Sequence, residues 1–444
     1  MVGILTGLWL KDVPLLQAAN RTIMAEVQKR LGDDERDTRL LTLIDLSSAI
    51  GHREDISITL GEIGPDEEVL PSQSQVDFQL QLESLIELLR AVGLQKPRAI
   101  FVDWQTTAPR ALWDPAKGAL KPGVHAGFKD AFARFHATMD DLAETSPVFL
   151  VGDLMQDVVR VRQKTSPGNR HDNSLLSSEL SDTEWYPYYP LAPMQSRSGS
   201  RLPSVTDGLI VFFELEDKVK AQPSKGFGLF EAMADINGQT GYWIDYGFAP
   251  SLVQNAIYLN NTEWTDPGLS KQLAERMSGK LVFIVDLTQP HIKDVIAVPA
   301  RKEKLRVALP DGKEVEVRGS GGLVHACAFL TRTQEPLYAM PSGPKEMLLI
   351  SLLSIAIAVV VWVISAIAAT VSPKRWSKAG ETGVELILLV AVTLFFVWFS
   401  IDWMAKSRVI IPQMQGFLVT RFVDTFLLAC FLVRDALSKV PSAH

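Results

Sequence analysis

Three aspartates, Asp45, Asp103 and Asp286, each end or nearly end a short apolar run: LLTLIDL at 40–46, PRAIFVDW at 97–104 and LVFIVD at 281–286. If those runs are neighbouring parallel strands, their carboxyl ends share one edge of a sheet, which is where open α/β sheets form their clefts. With Lys293, Asp294 and His325 close by, the aspartates would line a polar cleft for a small cationic or hydroxylated ligand. The competing role is turn and capping chemistry, which aspartates perform routinely at strand ends, and it is the commoner one. The glycine cluster at 319–322 opens a helical run, where backbone N–H groups can hold an anion; a simple turn explains it more economically.

Catalytic patterns are absent from the sequence. It contains no G-x-S-x-G elbow, no G-x-x-x-x-G-K-[ST] phosphate loop, no H-E-x-x-H and no C-x-x-C. The seven histidines are scattered, which gives a metal cluster no local support. The expectation is a protein that is not an enzyme, with no metal and no cofactor. A net charge of −7 also argues against a nucleic-acid binder, which usually carries a basic patch. Cys327 and Cys430 are the only cysteines, and they are poor disulfide partners because one falls in the large polar domain and the other in an apolar span.

Around the aspartates the chain reads as strand and helix in alternation. Helical periodicity runs over 15–31 and 76–92, and further helices are expected at 128–142, 227–234 and 269–277, with another opening at 319 and running through 330. Apolar runs at 40–46, 97–104, 147–152, 208–215 and 281–286 read as buried strands, with shorter ones at 242–246 and 256–259. A hairpin is expected between 305–309 and 314–317, turning at Asp311-Gly312. Strand–helix–strand units of this kind build an open, mixed or parallel α/β sheet with right-handed crossovers. Residues 163–207 break the pattern and read as a long loop excursion. Its aromatic run contains Trp185, Tyr186, Tyr188 and Tyr189; these either bind a partner or, the preferred reading, pack on their own domain.

The chain's other pole is apolar. Residues 347–371 hold twenty-five residues without a charge, against the ~20 needed to cross a bilayer core. A second span is expected at 383–405 and a third at 410–433, giving an α-helical membrane region of three helices. Arg421 and Asp424 lie three residues apart in the third span and share one helix face. They are read as an intramembrane coupling pair facing another helix; the alternative is that they sit at the membrane interface. The basic loop at 372–382 and the basic tail favour a cytoplasmic C-terminus, with 11–340 on the other side. Residues 1–34 are expected to form an N-terminal helix close to the membrane. The apolar start, 1–10, is either the tail of a longer membrane helix or a hydrophobic helix start, and an export signal is expected near or before Met1.

One ordered set of residues resembles a known family. Gly279-Lys280, the strand at 281–285, Lys293-Asp294, Pro299, Leu323-Val324-His325-Ala326 and the apolar helix from Met347 follow the order seen in the CHASE type-two domain, an extracytoplasmic sensor module of bacterial receptors. The strands at 40–46 and 97–104 are similar to that family's opening. The resemblance implies an α/β sensor domain over 35–340 and three closing membrane helices. It further implies a bacterial inner-membrane protein with an extracytoplasmic domain that signals to another membrane protein, with a homo-oligomer as a further option. The family usually adds a cytoplasmic output domain, and none is expected in this sequence. The alternative is an accessory or scaffold subunit of a membrane complex whose outer domain binds protein. An ectoenzyme using the aspartates ranks third.

Overall fold

The computed structural model describes residues 14–31, 36–50, 73–104, 113–114, 119–120, 126–152, 175–177, 188–190, 194–195, 201–202, 204–215, 234–236, 239–260, 263–288, 298, 305–309, 312–317, 319–334, 338, scattered positions from 348 to 366, and 378–410. The chain divides into two compact units: one holds 32–223 and 238–336, the other the two chain ends and 224–237.

The first unit is built on five parallel strands: β1 (Leu41–Asp45), β2 (Ala99–Val102), β3 (Val148–Gly152), β4 (Leu175–Ser177) and, after strands outside this sheet that include β5 (Tyr188–Pro190) and β6 (Gln239–Trp243), β7 (Leu281–Val285). Their order across the sheet is β1-β7-β2-β3-β4, so the strand latest in sequence lies between the first two. The open α/β sheet read from the sequence is present. The bare apolar runs are explained by burial on both faces, since every residue of β1, β2 and β7 is buried. Alternation along the strands sends Ile44, Ile100, Val102, Val148, Leu150, Val282 and Ile284 to one face. There they meet α3 (Gln73–Leu94), which follows the short α2 (Leu46–Ile50), then α4 (Ala126–Leu142) and α7 (Pro267–Met277). The other face is aromatic: Phe101 and Phe283 lie 4.8 Å apart and pack with Phe329 and His325 of α8 (Gly321–Gln334). At 0% exposure, Phe101 is worth about 3–5 kcal/mol against alanine.

One expected strand is a helix. The run at 208–215 belongs to α5 (Val205–Phe212). An apolar run of this length does not distinguish a strand from a buried helix, and the local cap decides. The Ser204 hydroxyl accepts the Asp207 N–H at 3.2 Å and donates to its carboxylate at 3.0 Å, a reciprocal closure of the first turn. Buried Val205, Leu209 and Ile210 then follow helical spacing, and Phe212 sets its edge on Phe149 at 5.0 Å. Within 163–207, β4 adds a fifth strand to the sheet, while β5 (Tyr188–Pro190) pairs antiparallel with β6 (Gln239–Trp243). Ile257 makes one parallel bridge to Ile44, where a short strand was expected. The hairpin is formed by β8 (Arg306–Ala308) and β9 (Glu314–Glu316), and Gly312 supplies the positive φ of the turn. The helix expected at 227–234 falls outside the described residues, except that Ala234 begins a strand.

The second unit contains α1 (Pro14–Leu31) and α9 (Lys378–Ser407), which pack together. Ile23, Met24 and Val27 are buried, as are Ile401, Met404 and Ala405. Arg30 lies 3.7 Å from Asp402 and over the Trp398 ring, and Lys406 pairs with the same carboxylate. Further back along α9, Ile387, Leu394, Phe395, Trp398 and Phe399 are exposed. Among the described residues one helix is long and apolar enough to cross a membrane, with its window at Val390–Ser407. The described positions from 348 to 366 are helical, with Leu352, Ile355, Val359 and Trp362 exposed. Of the three membrane helices expected, one helix among the described residues qualifies by length and composition; the expected span at 410–433, with Arg421 and Asp424, lies outside the described residues.

Candidate functional site

Parallel pairing brings the three aspartates to one edge. Asp45 ends β1 opposite Val285, Asp286 follows β7, and Asp103 follows β2 with its N–H donating to the Ile284 carbonyl at 2.9 Å. What each carboxylate does there differs.

Asp45 is fully buried and its oxygens collect donors from the turn after β7 and from α2. The N–H groups of Leu287 and Thr288 donate at 2.8 and 3.2 Å, the Thr288 hydroxyl at 2.6 Å and the Ser48 N–H at 3.0 Å. The Ser48 hydroxyl donates as well. A buried carboxylate is tolerated only when so satisfied, and these bonds tie the end of β1 to the end of β7. Its charge reaches Tyr258, whose phenol is pushed well up, first by burial and then by Asp45. Asp286 is also buried, and Ser47 donates to it at 2.6 Å. Both aspartates are thus placed in turn chemistry across the same two strands.

Asp103 is half-buried and faces the start of α8. A methyl group on Gly322 would stand 2.7 Å from its Oδ2, and one on Gly321 3.7 Å. The Ser320 hydroxyl accepts the Leu323 N–H at 3.3 Å, and the Ser320 carbonyl accepts that of Val324. The glycine cluster therefore opens a helix, as its sequence suggested, and the anion at its positive end is the chain's own Asp103. His325, one turn on, is not in the cleft: it is buried with its ring edge-on to Phe101 at 6.2 Å.

Of the other candidates, Lys293, Asp294, Trp185 and Tyr186 lie outside the described residues, and Tyr188 and Tyr189 belong to β5, opposite Trp243 and Tyr242. Among the described residues no group of three His, Cys, Asp or Glu side chains could hold a metal ion.

A second buried charge centre went unread in the sequence. Asp245, fully buried, lies 3.3 Å from Arg36, a residue that sits in what looks like a plain acidic loop. Its carboxylate also accepts the Gly247 N–H at 2.8 Å, and its own N–H donates to the Thr331 hydroxyl at 2.9 Å. Thr331 in turn donates to the Cys327 carbonyl at 2.7 Å. Burial, and then the charge of Asp245, push the Cys327 thiol well above its usual range, which makes it an inert core residue rather than a nucleophile. The one available signal was an aspartate directly after the apolar triplet YWI at 242–244, the same pattern that marked the other three.

Fold and site together define a parallel α/β protein whose strand-end carboxylates are built into its own loops and helix start. Comparison of the chain with family models, curated proteins and solved structures returns no match.

Proposed function

We propose that this chain is a membrane-anchored sensor subunit of a bacterial inner membrane. Its α/β unit lies outside the membrane, binds a ligand or partner there, and passes a conformational bias through the apolar helices to another membrane protein. The observation that carries this reading is the division of the chain into a parallel α/β unit and a second unit in which α1 packs on a helix able to cross a bilayer. A bilayer is the solvent that suits the exposed apolar residues of α9. Reporters active on one side of the membrane, placed at residue 180 and at the C-terminus, test it. Residue 180 outside with the tail inside is the expected result; residue 180 in the cytoplasm overturns it.

A scaffold subunit is the second reading, and a specific observation favours it. Asp45 and Asp286 have their oxygens engaged within the fold, which leaves less of the edge for a small ligand. A thermal shift produced by one specific small molecule supports the sensor. Co-purifying proteins that detach when residues 185–193 are altered support the scaffold.

A further inference from the structure

The opposite edge of the sheet has a different chemistry. Where the carboxyl ends of β1, β7 and β2 carry aspartates, their amino ends carry cations: Arg39 before β1, Lys280 before β7, and Lys96 and Arg98 before β2. Backbone bonds show how close these positions are. The Leu281 N–H donates to the Leu40 carbonyl at 3.0 Å, Arg98 to Lys280 at 2.8 Å and Gly279 to Lys96 at 3.1 Å. Arg276, at the end of α7, joins them: it donates to the carbonyls of Asn255 and Ala256.

Some of this charge is engaged. Arg39 pairs with Asp37 at 2.8 Å, and Arg98 donates to the Phe213 carbonyl and covers its ring. Lys96 is exposed and Lys280 half-exposed, and no carboxylate among the described residues pairs with either. The Lys280 ammonium is lowered from its usual range by burial and then by the neighbouring Arg276 charge, as befits a locally positive field. Glu275 is exposed beside Arg276, the segment leading into β1 carries Asp33, Asp34, Glu35 and Asp37, Glu144 precedes β3 and Glu214 follows α5, so the positive region is confined to the amino ends of β7 and β2.

The chain's first entry into the α/β unit and its last exit from it lie at this edge. Nine residues, 32–40, join α1 to the amino end of β1. Helix α8 starts beside Val285 and Asp103 at the carboxyl edge and passes Phe283 at Phe329, so it runs antiparallel to the strands and ends at the amino edge. From there the chain continues to the apolar run at 347. The link to α1 and the link to the apolar run at 347 therefore both begin at this edge.

We propose that the amino edge of the sheet, through Lys96, Lys280, Arg276 and Arg98, is a docking surface for the anionic headgroups of the bilayer in which the chain is anchored. This rests on the membrane reading above. Juxtamembrane basic groups gain from an anionic surface and lose that gain within a Debye length. The full chain is reconstituted into nanodiscs of zwitterionic lipid, or of the same lipid with anionic phosphatidylglycerol, and lysine acylation is read by mass spectrometry. Lys129, near the opposite edge at the start of α4, is the internal reference. Lys96 and Lys280 are expected to react about fivefold more slowly in the anionic discs, with the protection lost in molar salt and Lys129 unchanged. In the Lys280→Gln chain the protection of Lys96 is expected to weaken. Equal reactivity in the two lipids overturns the proposal. So does equal protection in zwitterionic discs given inorganic phosphate, which would mark a site for a soluble anion. Failure of the chain to enter nanodiscs at all defeats the membrane reading instead, so the two failures are distinguishable.

Discussion

Gly322 is the residue on which the geometry of the carboxyl edge turns. A Cβ there would stand 2.4 Å from Val285 Cγ1 and 2.5 Å from Val285 Cβ, besides the contact with Asp103, whereas at Gly321 the nearest atom is 3.7 Å away. Gly322→Ala is expected to cost about 1–3 kcal/mol by overpacking, and Gly321→Ala less than about 0.5 kcal/mol, both read by urea denaturation. The buried pair behaves differently. Arg36→Met leaves the Asp245 charge without its cation and is expected to cost about 3–5 kcal/mol. The double variant Arg36→Met, Asp245→Asn keeps an acceptor for Gly247 without the charge, and is expected to recover part of that loss. His136 offers a pH test. Burial against Phe132 and Phe135 lowers its pKa, and the charge of Asp140 opposes this only in part. The folded chain therefore prefers the neutral ring. Its contribution is fully present above about pH 6.5, the ordinary histidine value, and is lost as the pH falls through the lowered folded value, because the unfolded chain takes the proton first. Thermal melts of His136→Phe are expected to fall less steeply than those of the parent over that window.

Helix α5 shows what an element needs beyond its composition. Its cap is one hydroxyl and one carboxylate, and Ser204→Ala is expected to lower stability by about 1 kcal/mol, measured by chemical denaturation with Ser204→Thr as the conservative control. The strands β1, β2, β3 and β7 were legible because burial on both faces writes an unbroken apolar run into the sequence, and helices α3, α4 and α7 because one buried face repeats every three to four residues. The run at 208–215 misled because the outer face of α5 carries the exposed but apolar Val211, so no polar residue within its helical part, 208–212, shows the period. The strand-end aspartates were legible as positions, since register alone brings them together. Their roles were not, because the donors that engage them, Ser47 and Ser48 on the short α2 and Thr288 after β7, carry no distinguishing pattern in sequence. Arg36 and Asp245 lie more than two hundred residues apart, and no local pattern announces such a pair.

At the scale of the whole molecule, the sheet order joins distant parts of the chain. Strand β7 supplies hydrogen bonds to both β1 and β2, yet about 180 residues separate it from β2. A chain ending at residue 270 is expected to lack the cooperative unfolding transition of the full chain and to aggregate, as read by circular dichroism and light scattering, because β1 and β2 would each present an open edge.

The same insertion sets a timetable for synthesis. At roughly 5–20 residues per second, the ribosome needs about 10–40 s after finishing β2 to deliver its partner. Through that interval the first two strands of the sheet exist without the strand that separates them. A nascent chain in this state holds β1 and β2 without their shared neighbour, and the sheet closes only when the central strand arrives.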